Sequence, residues 1–341
     1  MKSLTDVNAI LQRASELEDA GSWEEVISLL TQSNRQQENT EIESRLIRAR
    51  HQAFLARADN APRGSWPDTV ADFFPDVSGI PEIQASELTA TAVTSAIQHH
   101  GSLLVRGLVS EQDAKNIRHA MEVTLETKAS LGDEIFKSAK PWYKPYRSET
   151  SDTLNIDRVV FKNMDLDVVL TVDSPRTLFR QLEALGRAGV IDTLREYFGE
   201  SVAISAGKST IRRTSPDTPT AWHQDGTYLG ENIRALNIWT AYSPCGVDAA
   251  GLDIVAQPLT DLIQPDGGEY YDQSVSDDTA AGFGVGKIVR PVFNVGDAIL
   301  FNQLSLHRTG VDISMTKTRH AIETWFFAAS TFPENQLPLS V

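Results

Sequence analysis

Over residues 5–58 the apolar positions recur at helical spacing, with Leu11, Ala14, Leu17 and Ala20 on one face until Gly21-Ser22 interrupts them. Ser22 is placed to cap a second helix, WEEVISLL, whose Glu24 and Glu25 suit the positive end of the helix dipole. A polar link, SNRQQEN, leads to a third helix from roughly Thr40 to Arg57. The stretch NAPRGSWPDTVADFFPDVSGIPEI (60–83) is rich in Pro, Gly and Asp and reads as a linker over the surface. Helical spacing returns over roughly 86–99, and SLLVRGL (102–108) reads as a strand. Ser110 with Asp113 three residues on predicts a cap for a helix running to Thr127. A further helix pair is expected over 175–198.

From residue 202 the pattern changes to short β-rich runs divided by Gly, Pro and Asp turns: VAISAGKSTIRRT, ALNIWTAYS, GLDIVAQ, KIVRPVF, DAILFNQLS and HAIETWFFAAS. Roughly six to eight strands at this spacing predict a sandwich or jelly roll rather than a parallel α/β sheet. The expected fold class is therefore α+β. The expected organisation is a helical N-terminal extension (1–60), a linker (61–85) and a main domain (86–335) with a β-barrel-like core and flanking helices. Helix, glycine turn, WEEVISLL, polar link, helix also resembles one and a half tetratricopeptide units. Stable arrays of that kind need about three units, so helices packed on the main domain are the expectation, with a protein partner or self-association through them left open.

Composition narrows the partners. The 341-residue chain carries a net charge of −15, which disfavours nucleic acid and anionic membranes as ligands. No run approaches the eighteen or so apolar residues of a membrane span, and the amino-terminal stretch lacks a secretory pattern. Cys245 is the one cysteine, which excludes an internal disulfide framework and points to a reducing, cytoplasmic setting and small-molecule chemistry.

The candidate chemistry starts in TAWHQDGTYLG (220–230), where His223 and Asp225 are separated by one residue. A pair of this kind in a turn is often only polar structure. A third ligand is offered by GDAILFNQLSLHRTG (296–310), in which AILF reads as a buried strand and His307 stands at its end. The other histidines, His51, His99, His100, His119 and His320, lie in predicted helices, before the strand at 102–108, or on the late strand. Two imidazoles and one carboxylate form the donor set of non-haem Fe(II) oxygenases, because they fill one face of an octahedron and leave three positions for a bidentate cosubstrate and dioxygen. Arg319 follows His307 by twelve residues in TRHAIETWFF, sharing a strand face with Ala321, Glu323 and Trp325. A guanidinium on an apolar strand is costly to bury alone, and it suits the distal carboxylate of 2-oxoglutarate; Glu323 as an internal partner is the competing reading. Thr309 could offer its hydroxyl to the same carboxylate.

WHQDG, LNIWTAYSPCGVDAAGLDIV, GDAILFNQLSLHRTG and Arg319 together resemble the phytanoyl-CoA dioxygenase family of Fe(II)/2-oxoglutarate oxygenases, over roughly residues 78–328. The resemblance implies a double-stranded β-helix core of the jelly-roll or cupin-like kind. It implies Fe(II) held by His223, Asp225 and His307, 2-oxoglutarate held by Arg319, and Gln224, Trp239 and Thr210 lining the cosubstrate pocket. The implied reaction is hydroxylation of a small molecule by O2, with release of succinate and carbon dioxide. A metal-binding β-helix without catalysis, acting as an interaction module, is the alternative; a nucleic-acid demethylase is disfavoured by the charge. Asp225 argues against halogenation, which needs the carboxylate position vacated for halide. The chain departs from the family at VAQPLTD, where Pro-Gly-Ser-His is common, and this puts the substrate in doubt rather than the iron.

Two other stretches carry weaker signals. EIFKSAKPWYKPYRSE (134–149) interleaves Lys137, Lys140, Lys144 and Arg147 with Trp142, Tyr143 and Tyr146, either as a lid for an anionic or ring-bearing substrate or as a loop with its aromatics tucked beneath. NIDRVVFKNM (155–164) could bring Arg158 or Lys162 to the pocket.

Overall fold

The computed structural model describes residues 6–57, 66–132, 134, 140–147, 167–230, 232–266 and 274–341. Lys137, Arg158 and Lys162 lie outside them, as does the start of the 61–85 linker. Three helices open the chain: α1 (Val7–Asp19), α2 (Trp23–Gln36) and α3 (Thr40–Leu55). Asp6 and Asn39 cap α1 and α3 through their side chains, whereas Ser22 occupies the cap position of α2 without a side-chain bond. After β1 (Glu82–Gln84), α4 (Ala90–His100) and β2 (Ser102–Arg106) comes α5 (Glu111–Ala129), capped by Ser110 Oγ from the Asp113 amide as its spacing predicts. Helices α6 (Pro175–Arg187) and α7 (Val190–Phe198) follow a strand the sequence pattern did not anticipate, β3 (Val168–Leu170).

The rest is mostly sheet. VAISAGKSTIRRT folds as two strands, β4 (Val202–Ser205) and β5 (Thr210–Thr214), on either side of a turn at Ala206–Ser209. A short helical turn α8 (Gly226–Leu229) leads to β6 (Ala235–Ala241) and β7 (Gly251–Val255). Beyond α9 (Asp277–Ala281), KIVRPVF yields only β8 (Ile288–Val289). The chain ends in β9 (Ala298–Phe301), β10 (His307–Gly310), β11 (Arg319–Ala328) and β12 (Pro338–Ser340). Strand β11 is the spine of the larger sheet, which runs β1-β2-β9-β6-β11-β4-β12. It pairs with β6 along one edge and with β5 and then β4 along the other, and β5 carries β3. A smaller sheet, β10-β7-β8, completes a mixed α+β fold.

Strand periodicity divides the larger sheet into two faces. Leu236, Ile238, Ile322 and Phe326 pack against the helices in a cluster that also takes in Leu30, Leu46 and Ile47 of the amino-terminal helices. Trp239, Phe301, Ala321 and Trp325 point the other way, toward Leu252 and Ile254 of the smaller sheet. The amino-terminal helices are tied to the remainder through Arg176 Nε donating to Glu43 (2.9 Å), Arg180 Nε to Glu38 (2.6 Å) and Arg50 Nη1 to the Ser340 carbonyl (2.6 Å). Among the described residues no helix is long and apolar enough to cross a membrane.

Candidate functional site

The two histidines flagged by the sequence are backbone neighbours. His223 N donates to His307 O at 3.0 Å and His307 N returns the bond to His223 O at 3.1 Å, a hydrogen-bonded antiparallel pair that joins residues 220–223 to β10. Each ring is anchored in the same way, its Nδ1 facing the carbonyl two residues back. Nδ1 of His223 lies 2.9 Å from the Ala221 carbonyl, and Nδ1 of His307 lies 3.0 Å from the Ser305 carbonyl. A carbonyl can only accept, so both Nδ1 atoms carry a proton, and Nε2 is the ring nitrogen left to face a ligand. Asp225 Oδ2 stands 3.5 Å from His307 Nε2. One ligand-capable atom from each of the three residues falls within 4.8 Å of the others.

Asp225 heads the turn α8, and the close approach that places it depends on Gly226. A Cβ at Gly226 would lie 2.8 Å from Leu262 Cδ2 and 3.1 Å from the Gln303 carbonyl, to which the Gly226 amide donates at 2.8 Å. Burial pushes the His223 pKa down to about 4, with His307 adding to it and Asp225 opposing, so the ring is neutral near pH 7. Asp225 is also buried, which favours its protonated form, but Lys208 and the histidines outweigh burial and hold it well below the usual carboxylate range. The result is two imidazole nitrogens and one ionised carboxylate oxygen, the set that suits Fe(II).

Arg319 opens β11 and is 1 % exposed. Its Nη1 donates to the Gly251 carbonyl (2.7 Å), Nη2 donates to Thr214 Oγ1 (3.0 Å) and lies 3.5 Å from Thr309 Oγ1, and Nε has no partner among the described residues. No carboxylate pairs with it among the described residues, and burial pushes its pKa down to about 10. Glu323 is engaged elsewhere, accepting from Thr210 Oγ1 at 3.0 Å and facing Arg212 Nη1 at 3.3 Å. The reading of Glu323 as the partner of Arg319 is thereby overturned, and Thr210 is occupied with Glu323. Trp239 is buried beneath the guanidinium, 5.3 Å from ring centre to Cζ.

Gln224 is placed differently from the other flagged residues. Its amide nitrogen donates to the carbonyls of Leu304 (2.6 Å) and Asp261 (3.1 Å), and its oxygen accepts from the Ile263 amide (2.7 Å). Both of its N–H groups and its oxygen bond to loop backbone, as befits a side chain pointing away from its two neighbours. In the 140–147 stretch Tyr143 is buried, while the half-buried Trp142 ring lies 5.1 Å from the guanidinium of Arg176 and 5.3 Å from that of Arg180. Cys245 is buried and unpaired, its thiol pushed up to about 12 by burial.

Three contributors were missed in the sequence: Arg212, Thr214 and Lys208. The first two share a face of β5 with Thr210 by the period-two rule, a signal TIRRT contains. Lys208 lies in the turn between β4 and β5, and its Nζ is 2.6 Å from Asp225 Oδ1. A cavity of about 880 Å³ opens at the Arg319 end, lined by Thr214, Thr220, Thr309, His320, Arg212 and Glu122 among others, and does not include the histidine pair. Its size alone would misplace the chemistry, which follows the ligand-capable atoms.

A family model described as phytanoyl-CoA dioxygenase matches residues 97–321. No curated protein matches the chain. Among solved structures, EctD from S. alaskensis, determined with 2-oxoglutarate and 5-hydroxyectoine, is 16% identical, with 82% of this chain and 84% of that one covered and a TM-score of 0.50. The carbocyclase SnoK from nogalamycin biosynthesis, described as non-heme and alpha-ketoglutarate dependent, is 15% identical, with 72% and 87% covered and a TM-score of 0.47. At 16% identity the likeness to EctD is one of fold.

Proposed function

The chain belongs to the phytanoyl-CoA dioxygenase family, and on that premise we propose that it is an Fe(II)- and 2-oxoglutarate-dependent dioxygenase that hydroxylates a small-molecule substrate. The observation that carries this reading is the convergence of His223, Asp225 and His307 within 4.8 Å, with both Nδ1 protons spent on carbonyls. We read the two facing sheets as the halves of a double-stranded β-helix, with His223, Asp225 and His307 holding Fe(II) between them. When bound, that ion supplies open coordination positions for the cosubstrate and dioxygen and the redox chemistry of hydroxylation.

The protein's own part is positioning. The Ala221 and Ser305 carbonyls fix the tautomer and orientation of each ring. Arg319, with Thr214 and Thr309 beside it, offers a guanidinium that no carboxylate among the described residues pairs with, suited to the distal carboxylate of 2-oxoglutarate. Trp239 forms the floor under that group, and the buried apolar face of Phe301, Ala321 and Trp325 keeps water from the reacting atoms. Supplying Fe(II), ascorbate and 2-oxoglutarate in air across a metabolite library, with succinate as the readout, tests the proposal. A substrate that raises succinate release supports it, and absence of succinate under every condition overturns it.

A further inference from the structure

The carboxylate of Asp225 lacks the support its position would ordinarily give it. Asp225 heads the turn Gly226–Leu229, yet its side chain makes no capping bond to that turn. The group that holds it comes from another part of the chain: Lys208 Nζ lies 2.6 Å from Oδ1, leaving Oδ2 facing His307 Nε2 at 3.5 Å. Lys208 is itself firmly based. Its amide donates to Ser205 Oγ (3.0 Å), and the next residue is fixed three ways: Ser209 N donates to Ser205 O (3.1 Å), Ser209 O accepts from Thr171 N (2.9 Å), and Ser209 Oγ accepts from Trp325 N on β11 (3.1 Å). The stem therefore starts from a turn pinned to the larger sheet, and the ammonium lies 5.1 Å from the centre of the Tyr228 ring.

We propose that Lys208 is a positioning residue for the metal site: it takes one oxygen of Asp225 so that the other is turned toward His223 and His307. This rests on the function proposed above. A single ammonium suits the task, because a point charge can hold one carboxylate oxygen, whereas a planar guanidinium tends to take both. The arrangement also keeps Asp225 from presenting both oxygens to the ion, which preserves an open position for a further ligand. Partners of this kind, beyond the ligands themselves, typically change metal affinity by about 10- to 100-fold when removed.

The test uses the full chain and Mn(II), an air-stable stand-in for Fe(II). Lys208→Met should bind Mn(II) about 10-fold or more weakly, while its metal-free melting temperature stays near that of the parent. Lys208→Arg keeps the charge, but its planar fork tends to take both oxygens of Asp225, so it should recover only part of the loss and alter the Co(II) spectrum. With Co(II), the visible ligand-field spectrum of Lys208→Met should differ from the parent's, since the carboxylate is free to rotate. If Lys208→Met binds Mn(II) as tightly as the parent or more tightly, repulsion between ammonium and divalent ion outweighs orientation and the inference falls, with the proposed function intact. A parent chain that binds no Mn(II) overturns both. If Lys208→Met proves unstable, Lys208→Arg and the Co(II) spectrum decide, and a parent-like spectrum with weakened binding contradicts the role.

Discussion

Arg319 illustrates how a single residue can be costly to the fold and useful to the site. A guanidinium that is 1 % exposed and pairs with no carboxylate among the described residues is a buried charge that costs the fold. Arg319→Met should therefore leave the melting temperature of the metal-free protein unchanged or raise it. It should leave Mn(II) binding unaffected and weaken 2-oxoglutarate binding roughly 10- to 100-fold, the loss of one or two charge-assisted hydrogen bonds. Thermal shift with and without 2-oxoglutarate reads both effects, and loss of metal binding in this variant would contradict the assignment. His320, next in sequence but on the opposite strand face, behaves differently. It is buried, neither ring nitrogen has a hydrogen-bond partner among the described residues, and the nearest carboxylate, on Glu122, is 3.8 Å away. Burial, with Arg118 adding to it, pushes its pKa from 6.5 down to about 4. The unfolded chain thus takes up a proton that the folded chain refuses, so stability falls as pH drops from about 6.5 toward 4. His320→Leu should flatten that acid limb without loss at neutral pH, measured as melting temperature against pH; an unchanged limb would contradict it.

At the level of elements, the site depends on one short antiparallel pair. Strand β10 places His307 opposite Ile254 and Gly310 opposite Gly251, and the carbonyl of Gly251 in turn holds Arg319. A Cβ at Gly310 would come within 2.1 Å of Asp253 Oδ1. Asp253 has little room to yield, because Arg290 Nε (2.5 Å) and Arg308 Nε (3.1 Å) both grip its buried carboxylate. Gly310→Ala should cost about 1–3 kcal/mol, as overpacking does, and weaken metal binding through His307; denaturant unfolding and Mn(II) titration check the two parts. This level also shows what the sequence could convey. His223, Asp225, His307 and Arg319 were legible because their chemistry and spacing are unusual together. Gln224 was ambiguous because its neighbours in a tight turn share no periodicity with it, and only the loop carbonyls of residues 261 and 304 reveal its direction. Lys208 was invisible for a different reason: its partner is a residue brought near by tertiary structure, and a lysine in a Gly-Lys-Ser turn carries no signal of that.

Across the whole molecule, the helical periodicity of residues 5–58 was legible, but where those helices pack was not. Amphipathic spacing says that a face is buried, not against what. In the structure Leu30, Leu46 and Ile47 share an apolar cluster with Leu178, Leu185 and Ile322, and α3 is bonded to the carboxyl-terminal strand through Arg50 and through His51 Nδ1 at 2.9 Å from the Pro338 carbonyl. Removing residues 1–57 should therefore yield a chain with exposed apolar surface and loss of near-ultraviolet circular dichroism. A truncated chain that folds and binds metal normally would instead mark these helices as an appended module. The larger claim, that the sheets carry an iron and 2-oxoglutarate site, is tested most directly by calorimetric titration of 2-oxoglutarate into the full chain. One equivalent should bind when Mn(II) is present, and binding should be lost or greatly weakened when Mn(II) is omitted or Asp225 is changed to Ala. Binding that ignores both the metal and Asp225, or no binding at all, would contradict it.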